Sequence, residues 1–249
     1  MPERARRDDS SDGSRREGPA VTLAVVFLNG EYEDEAFYRA RFAAASLVVA
    51  ADGGHSFLRR QGLWPHVLAG DFDSLDEAAV AEAAAAGVEI VRQPPRKDET
   101  DAEIAVALAE ERGADRIELL GGLGGAVDHV LGHVCVLRGL AERGRAARLA
   151  APQAALTVCV APAGAVLSSP PGTRVSLVAL SADAVVTLRG LDYELRQAPL
   201  PADACLGVSN RITRPGAAVE LHRGVVAAVV YDGDETFGHE RQEAFGAQT

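Results

Sequence analysis

The sequence predicts an α/β fold, with an N-terminal doubly wound parallel-sheet domain followed by a small antiparallel β-sandwich domain. Three observations predict it. Between residues 21 and 143, short apolar runs of strand length alternate with longer stretches at helical spacing, the pattern of βα units that build a parallel sheet. After residue 150 the helical stretches stop, and short apolar runs follow one another with Pro, Gly and Asp between them, as in an antiparallel sandwich. In the first half, moreover, the gaps after the apolar runs gather aspartate and glycine.

Residues 1–18 are polar, mixed in charge and without a period, and are expected to be a disordered tail. The run 21–28 reads as a buried strand and 31–45 as a helix with Phe37, Phe42 and alanines facing inward. A second strand covers 46–51, and a helix follows through Phe57, Leu58 and Leu63. A third strand covers 66–69, and the alanine-rich 76–86 is helical. Residues 88–92 form a strand, then Thr100 caps a helix over 101–112, with Glu103 as the third-residue partner of a capping box. Residues 117–120 form a strand and 127–143 a long helix. The boundary falls within 146–155, giving units 19–150 and 151–249. The later runs (156–161, 173–180, 184–191, 218–223 and 225–232) are the strands of the sandwich.

The chain has 249 residues, 47% hydrophobic and 24% charged, enough for a sizeable core. A formal charge of −11 argues against nucleic acid as a partner, since a general binder needs a basic face. Cys135, Cys159 and Cys205 show neither zinc spacing nor a disulfide framework, which points to a reducing cytoplasm. No apolar run approaches membrane-spanning length, and the N-terminus lacks a signal-peptide core, so no membrane partner is expected.

Six aspartates stand after predicted strands: Asp52, Asp71, Asp73, Asp98, Asp101 and Asp128. In a parallel sheet those loops share the carboxyl edge, where ligands bind. Carboxylates crowded there repel one another unless a cation sits among them, and Mg²⁺ carrying a nucleotide suits hard oxygen ligands. Asp71 and Asp73 in Gly70-Asp71-Phe72-Asp73-Ser74 can share one face of an extended strand end; the alternative is an Asx-turn in which Asp73 caps the next helix. Lys97-Asp98-Glu99-Thr100-Asp101 joins carboxylates and a hydroxyl to the only lysine among 25 basic residues, at a helix start that favours phosphate. A capping segment within a solvated charge run is the other reading. Gly121-Gly122-Leu123-Gly124-Gly125 lets backbone approach a ligand closely, and Asp128 and His129 follow it. It is neither a dinucleotide fingerprint nor a P-loop. No nucleophile elbow or HExxH is present.

Taken in order, these segments resemble the thiamin pyrophosphokinase (thiamin diphosphokinase) family over about residues 21–232. The carriers are ADGG at 51–54, Pro65 ahead of GDFDS at 70–74, KDETD at 97–101, GGAVDH at 124–129, GLDYEL at 190–195 and Ser209-Asn210. The resemblance implies a homodimer that transfers pyrophosphate from ATP to the hydroxyl of thiamin, releasing AMP. It implies Mg²⁺ on Asp71, Asp73 and Asp98 with Asp101 nearby as catalytic carboxylates. ATP would be bound by Asp52, Gly53, Lys97, Thr100, Gly122, Asp128 and His129. Thiamin would be held by Ser209 and Asn210, and Tyr231 is a further candidate for stacking on its pyrimidine. Two positions depart from the family pattern: Ala126 stands where an arginine is common, and Arg96 where an aspartate is common. A pyrophosphokinase for another small alcohol of the hydroxymethylpterin type, or a non-catalytic nucleotide-binding homologue, fits the same segments.

Residues 1–18 carry too few apolar side chains to contribute folding energy. Their deletion should leave the thermal midpoint unchanged by differential scanning calorimetry; a clear drop would show that they pack.

Overall fold

The computed structural model describes residues 22–72, 75–94 and 99–231. In chain order the first half runs β1 (Leu23–Phe27), α1 (Glu35–Ala44), β2 (Leu47–Ala51), α2 (Gly54–Arg60), β3 (Val67–Gly70) and α3 (Glu77–Ala85). It continues with β4 (Glu89–Arg92), α4 (Asp101–Glu111), β5 (Arg116–Leu120), α5 (Val127–Glu142) and β6 (Ala146–Ala151). These six strands lie in the order β4-β3-β2-β1-β5-β6 and every neighbouring pair is parallel. The chain builds outward from β1 to β4, then returns to the other side of β1. The strand order therefore reverses between β1 and β5, which opens a crevice at their carboxyl ends.

Alternation along β1 sorts the two faces. Ala24, Val26 and Leu28 join the core beneath α4 and α5, while Val25 and Phe27 face α1, α2 and α3. On the first face α4 contributes Ala102, Ala105, Val106 and Ala109, small residues that let the helix sit close on the sheet. The predicted capping box is present: Glu103 N donates to Thr100 Oγ1 at 3.3 Å, and Thr100 N donates to Glu103 Oε2 at 2.7 Å.

The second half adds β7 (Ala154–Val160), β8 (Ala163–Val166), β9 (Arg174–Ala179), β10 (Val185–Arg189), β11 (Leu195–Pro199), β12 (Asn210–Arg211), β13 (Ala218–Arg223) and β14 (Val225–Tyr231). Strands β7, β14, β9 and β12 extend the parallel sheet into one ten-stranded sheet, while β11, β10, β13 and β8 form a second sheet of four strands. The two pack through a core that includes Val175, Leu177, Val226 and Val230 on one side and Val186, Leu188, Val219 and Leu221 on the other.

Several expected boundaries shift. The helix expected from residue 31 begins at Glu35, because Asp34 is its N-cap and accepts from Ala36 N and Phe37 N. The next helix ends at Arg60, before Leu63. Strand β6 was not expected, since Arg148 interrupts its apolar run, and its ladder to β7 pairs Leu149 with Leu156 and Ala151 with Ala154. A hydrogen-bonded ladder thus crosses the point where the sequence changes character. Strands β8, β11 and β12 were likewise too short or too polar to stand out.

Candidate active site

Glycines set the geometry of the carboxyl edge by letting three loops touch. A Cβ on Gly30 would lie 1.8 Å from Gly121 O, one on Gly53 2.2 Å from Asn29 Oδ1, and one on Gly54 2.1 Å from Phe27 O. The loop after β1 is therefore wedged between those after β2 and β5. Tyr32 pins the wedge: its hydroxyl donates to Leu28 O at 2.5 Å, and its ring stacks on Phe57 at 4.1 Å between centroids. Burial, and then the neighbouring Tyr38, push the Tyr32 phenol well above its ordinary pKa of 10.0 and keep it a neutral donor.

Asp52 sits within this contact, 3% exposed and left-handed with φ 41°. Its N–H donates to Ala69 O at 2.9 Å, which ties the end of β2 to β3. A Cβ on Gly70, at φ 148°, would lie 3.3 Å from Asp52 Cβ and 3.5 Å from Asp101 Oδ1. Asp52 and Asp101 thus flank the last residue of β3, and half-buried Asp71 follows it directly. Phe72 is buried at φ 64° beneath the Arg92 guanidinium, 4.9 Å from its ring centroid. A left-handed aromatic residue stores strain of about 1–3 kcal/mol. The helix after this segment is capped by Asp76, whose Oδ1 accepts from Ala79 N.

The structure thus gathers Asp52, Gly53, Asp71, Thr100 and Asp101 at neighbouring strand ends, with Gly122, Asp128 and His129 across the switch point. Asp73, Lys97 and Asp98 lie outside the described residues. Among the described residues no group of three metal-ligating side chains is assembled. The donors present are carboxylate oxygens beside a helix N-terminus, the chemistry a hard cation with a phosphate chain requires. Asp128 and His129 are exposed on the first turn of α5, where Asp128 Oδ1 accepts from His129 N.

Sequence reasoning missed several residues here. Glu31 and Glu33 line a crevice with Gly121, Leu123, Gly124 and the β6–β7 turn. His133 is buried one turn beyond His129, and its Nδ1 lies 3.1 Å from Gly122 O, which fixes the proton on Nδ1. Its signal was the helical i, i+4 spacing from His129.

In the sandwich, Ser209 is exposed at φ 62° and its N–H donates to Ser176 Oγ. Asn210 is 3% exposed. Its Oδ1 accepts from Tyr193 N at 3.0 Å and Arg211 N at 2.9 Å, and its Nδ2 donates to Tyr193 O at 2.9 Å. The amide thus holds the backbone that presents Tyr193, whose side chain is solvent-facing at 71% exposure. Tyr231 is half-buried, with the Arg174 guanidinium 3.5 Å from its ring centroid. Seven strand steps separate β12 from β2, which at about 4.8 Å each is roughly 30 Å. Asp52 and Ser209 of one chain cannot touch the same small molecule.

The catalytic-domain model of thiamin pyrophosphokinase matches residues 38–148, and the vitamin B1 binding-domain model of the same family matches residues 166–226. The thiamine pyrophosphokinase of Bacillus subtilis is 24% identical over 185 residues, covering 74% of this chain and 86% of that protein. A crystal structure of thiamine pyrophosphokinase from Bacillus subtilis superposes with a TM-score of 0.73 at 25% identity, covering 85% of this chain and 99% of that one. That of Geobacillus thermodenitrificans gives 0.72 at 26% identity, with 86% and 99% covered.

Burial lowers the pKa of His133 below 6.5, with the Gly122 hydrogen bond opposing and His129 adding to the shift. Burial, then Arg59, lowers that of His55. A folded pKa below the unfolded one means that the unfolded chain binds more protons, so this stability is complete above about pH 6.5 and lost as pH falls through that value. Acidification from about pH 7 to about pH 5 should therefore lower the melting temperature more in the wild type than in His133→Gln. Parallel melting curves for the two proteins would remove His133 as a contributor.

Proposed function

The chain belongs to the thiamin pyrophosphokinase family, and on that premise we propose how its residues divide the work. The protein is an enzyme that converts thiamin to thiamin diphosphate; ATP is read as the donor and AMP as the second product. The carrying observation is the pair Asp52 and Asp101 flanking Gly70 at the strand end that delivers Asp71.

Asp71, Asp73 and Asp98, with Asp101 beside them, are assigned to Mg²⁺, which when bound neutralises charge on the transferring phosphates. Asp52, Gly53, Lys97, Thr100, Gly122, Asp128 and His129 are assigned to the nucleotide. The exposed N–H groups at the start of α4 favour a phosphate there, and Thr100 keeps that start ordered. Catalysis is then orientation: the alcohol oxygen is held in line with the β-phosphorus, the new P–O bond forms there, and the bond to the α-phosphate oxygen breaks to release AMP.

The unit 151–249 is read as the thiamin-binding domain and 19–150 as the catalytic one. Ser209 supplies a polar contact, and Asn210 acts by fixing Tyr193 and Ser209 in place. Tyr231 remains assigned as a stacking candidate, and Arg174 already covers one face of its ring. The roughly 30 Å between β12 and β2 supports a homodimer in which each site joins the α/β half of one subunit to the sandwich of the other. Exposed Val127 and Leu131 on α5, and Tyr193, Leu206 and Val208 on the sandwich, are apolar surfaces such pairing would cover. No helix among the described residues is long and apolar enough to cross a membrane. Cytoplasmic residence is supported by the free, exposed Cys135 and Cys205. The net charge of −11 favours small-molecule partners over nucleic acid.

Asp71→Asn should abolish formation of thiamin diphosphate and AMP, followed by mass spectrometry, while the melting temperature stays put. The lost stabilisation amounts to several kcal/mol, or a rate loss of about 10² or more. Normal turnover at saturating Mg²⁺ and ATP would remove Asp71 from the site.

Asn210→Ala should raise the KM for thiamin far more than that for ATP, because it frees the backbone at Tyr193 and Ser209. Steady-state kinetics with each substrate varied decide it. Equal effects on both would place the thiamin pocket elsewhere.

A further inference from the structure

The turn that joins β5 to α5, Gly121-Gly122-Leu123-Gly124-Gly125, is held by little backbone hydrogen bonding. Among the described residues, the N–H groups of Gly122, Leu123, Gly124 and Gly125 donate to no protein acceptor. The carbonyl of Gly122 does have a donor, and it comes from a side chain: Nδ1 of His133, 3.1 Å away. His133 lies within the second turn of α5 and is 8% exposed.

That bond has a directional consequence. Gly122 is buried, and a Cβ there would lie 2.8 Å from each of His133 Nδ1, Leu149 Cδ1 and Leu28 Cδ1. Its carbonyl is thus shielded from solvent, and without His133 it would be an unpaired buried acceptor. The glycines around it do not hold the peptide plane by themselves: Gly121 stands at φ 82° and Gly125 at φ 80°, and glycine moves between such conformations at little steric cost. The peptide between Gly122 and Leu123 is trans and planar, so the N–H of Leu123 points opposite to the carbonyl that faces His133. Leu123 lines the carboxyl-edge crevice together with Gly121 and Gly124. An N–H fixed in direction at that edge, with no protein acceptor among the described residues, is a donor waiting for a ligand.

We propose that Leu123 N–H donates to a phosphate oxygen of the bound nucleotide, and that His133 is the positioning residue that aims it, acting through Gly122 O. A backbone N–H suits an anionic oxygen and makes no demand on the side chain, which accounts for a leucine at this position. The inference rests on the reading that the carboxyl edge binds a nucleoside triphosphate, and adds to it a donor at residue 123 and a residue that holds this donor in place.

Two measurements on the full chain test it. The first needs no substitution: amide hydrogen exchange followed by NMR, with Mg²⁺ and ATP but no thiamin. Exchange at Leu123 should slow about tenfold or more at saturating ATP. The second is steady-state kinetics on His133→Leu, which lacks the donor, and His133→Asn, whose Nδ2 stands about where Nδ1 stood. His133→Leu should raise the KM for ATP about tenfold and move that for thiamin by less than about twofold. His133→Asn should return the ATP value to within about threefold of the wild type. A merely structural role for His133 would move both KM values together and give no rescue. Unchanged exchange at Leu123 under saturating ATP, an unchanged ATP KM in folded His133→Leu, or failure of His133→Asn to do better than His133→Leu would each overturn the inference. A wild type that forms no AMP from ATP overturns the nucleotide reading and this inference with it, whereas the other outcomes leave that reading standing.

Discussion

Everything at the carboxyl edge depends on backbone meeting backbone across the switch point. A methyl group at Gly30 would overlap Gly121 O, and one at Gly54 would overlap Phe27 O. Neither neighbour is a side chain that could swing aside, so any larger residue would push whole loops apart. Because those contacts close, the loop after β1 fills the crevice between β1 and β5, and Tyr32 can reach Leu28 O while stacking on Phe57. Because Asp52 N is tied to Ala69 O, the acid at the end of β2 sits against Gly70 and faces Asp101 across it. Backbone hydrogen bonds and glycine contacts thus set where the strand ends that carry these carboxylates lie.

Much of this was legible in the sequence, and the remainder failed for physical reasons. The apolar run that holds β1 and the capping box at Thr100 are local signals, and the structure has a strand at Leu23–Phe27 and the capping box at Thr100. The Gly-Asp segments led to the expectation of a ligand edge because aspartates repeatedly followed strands. The loop 28–34 was hidden: Glu31 to Asp34 are compatible with a helix start, and besides the Asp34 cap it is the distant partners Phe57, Leu120 and Gly124 that hold the segment as a loop. Asn210 looked like a ligand group from its motif. Its burial against the backbone of Tyr193, 17 residues earlier, is a tertiary fact that no local pattern records. Arg148 hid a strand for a similar reason, since its partner Glu118 lies 30 residues away.

Backbone strain marks the same places. Among the described residues, four other than glycine have positive φ: Asp52, Phe72, Ser209 and Gln197. The first three fall inside the motif segments at 51–54, 70–74 and 209–210. Gln197 lies on β11, where the pairing with β10 shifts register between Val186 and Leu188, so a ladder irregularity accounts for it. Left-handed conformations in residues with a Cβ persist only where surroundings over-determine them. Buried Phe72 under Arg92 and buried Asp52 tied to β3 meet that condition. Ser209 meets it through its bond to Ser176 and the Asn210 network behind it.

The continuous sheet then turns these separate anchors into one geometric relation. A hydrogen-bonded ladder runs unbroken from β4 to β12, so the distance between the acidic edge and Ser209 is set by strand spacing and cannot be closed by a flexible linker. Bringing the two halves of a reaction together in one chain would require breaking ladder bonds between strands with buried side chains, such as β6 and β7. Each such break exposes donors and acceptors at a cost of order 1–3 kcal/mol apiece. The proposed association of two chains would need none of those breaks, and it would cover the exposed Val127 and Leu131 of α5. The rigidity of the continuous sheet is thus what favours a second subunit in the homodimer proposed above.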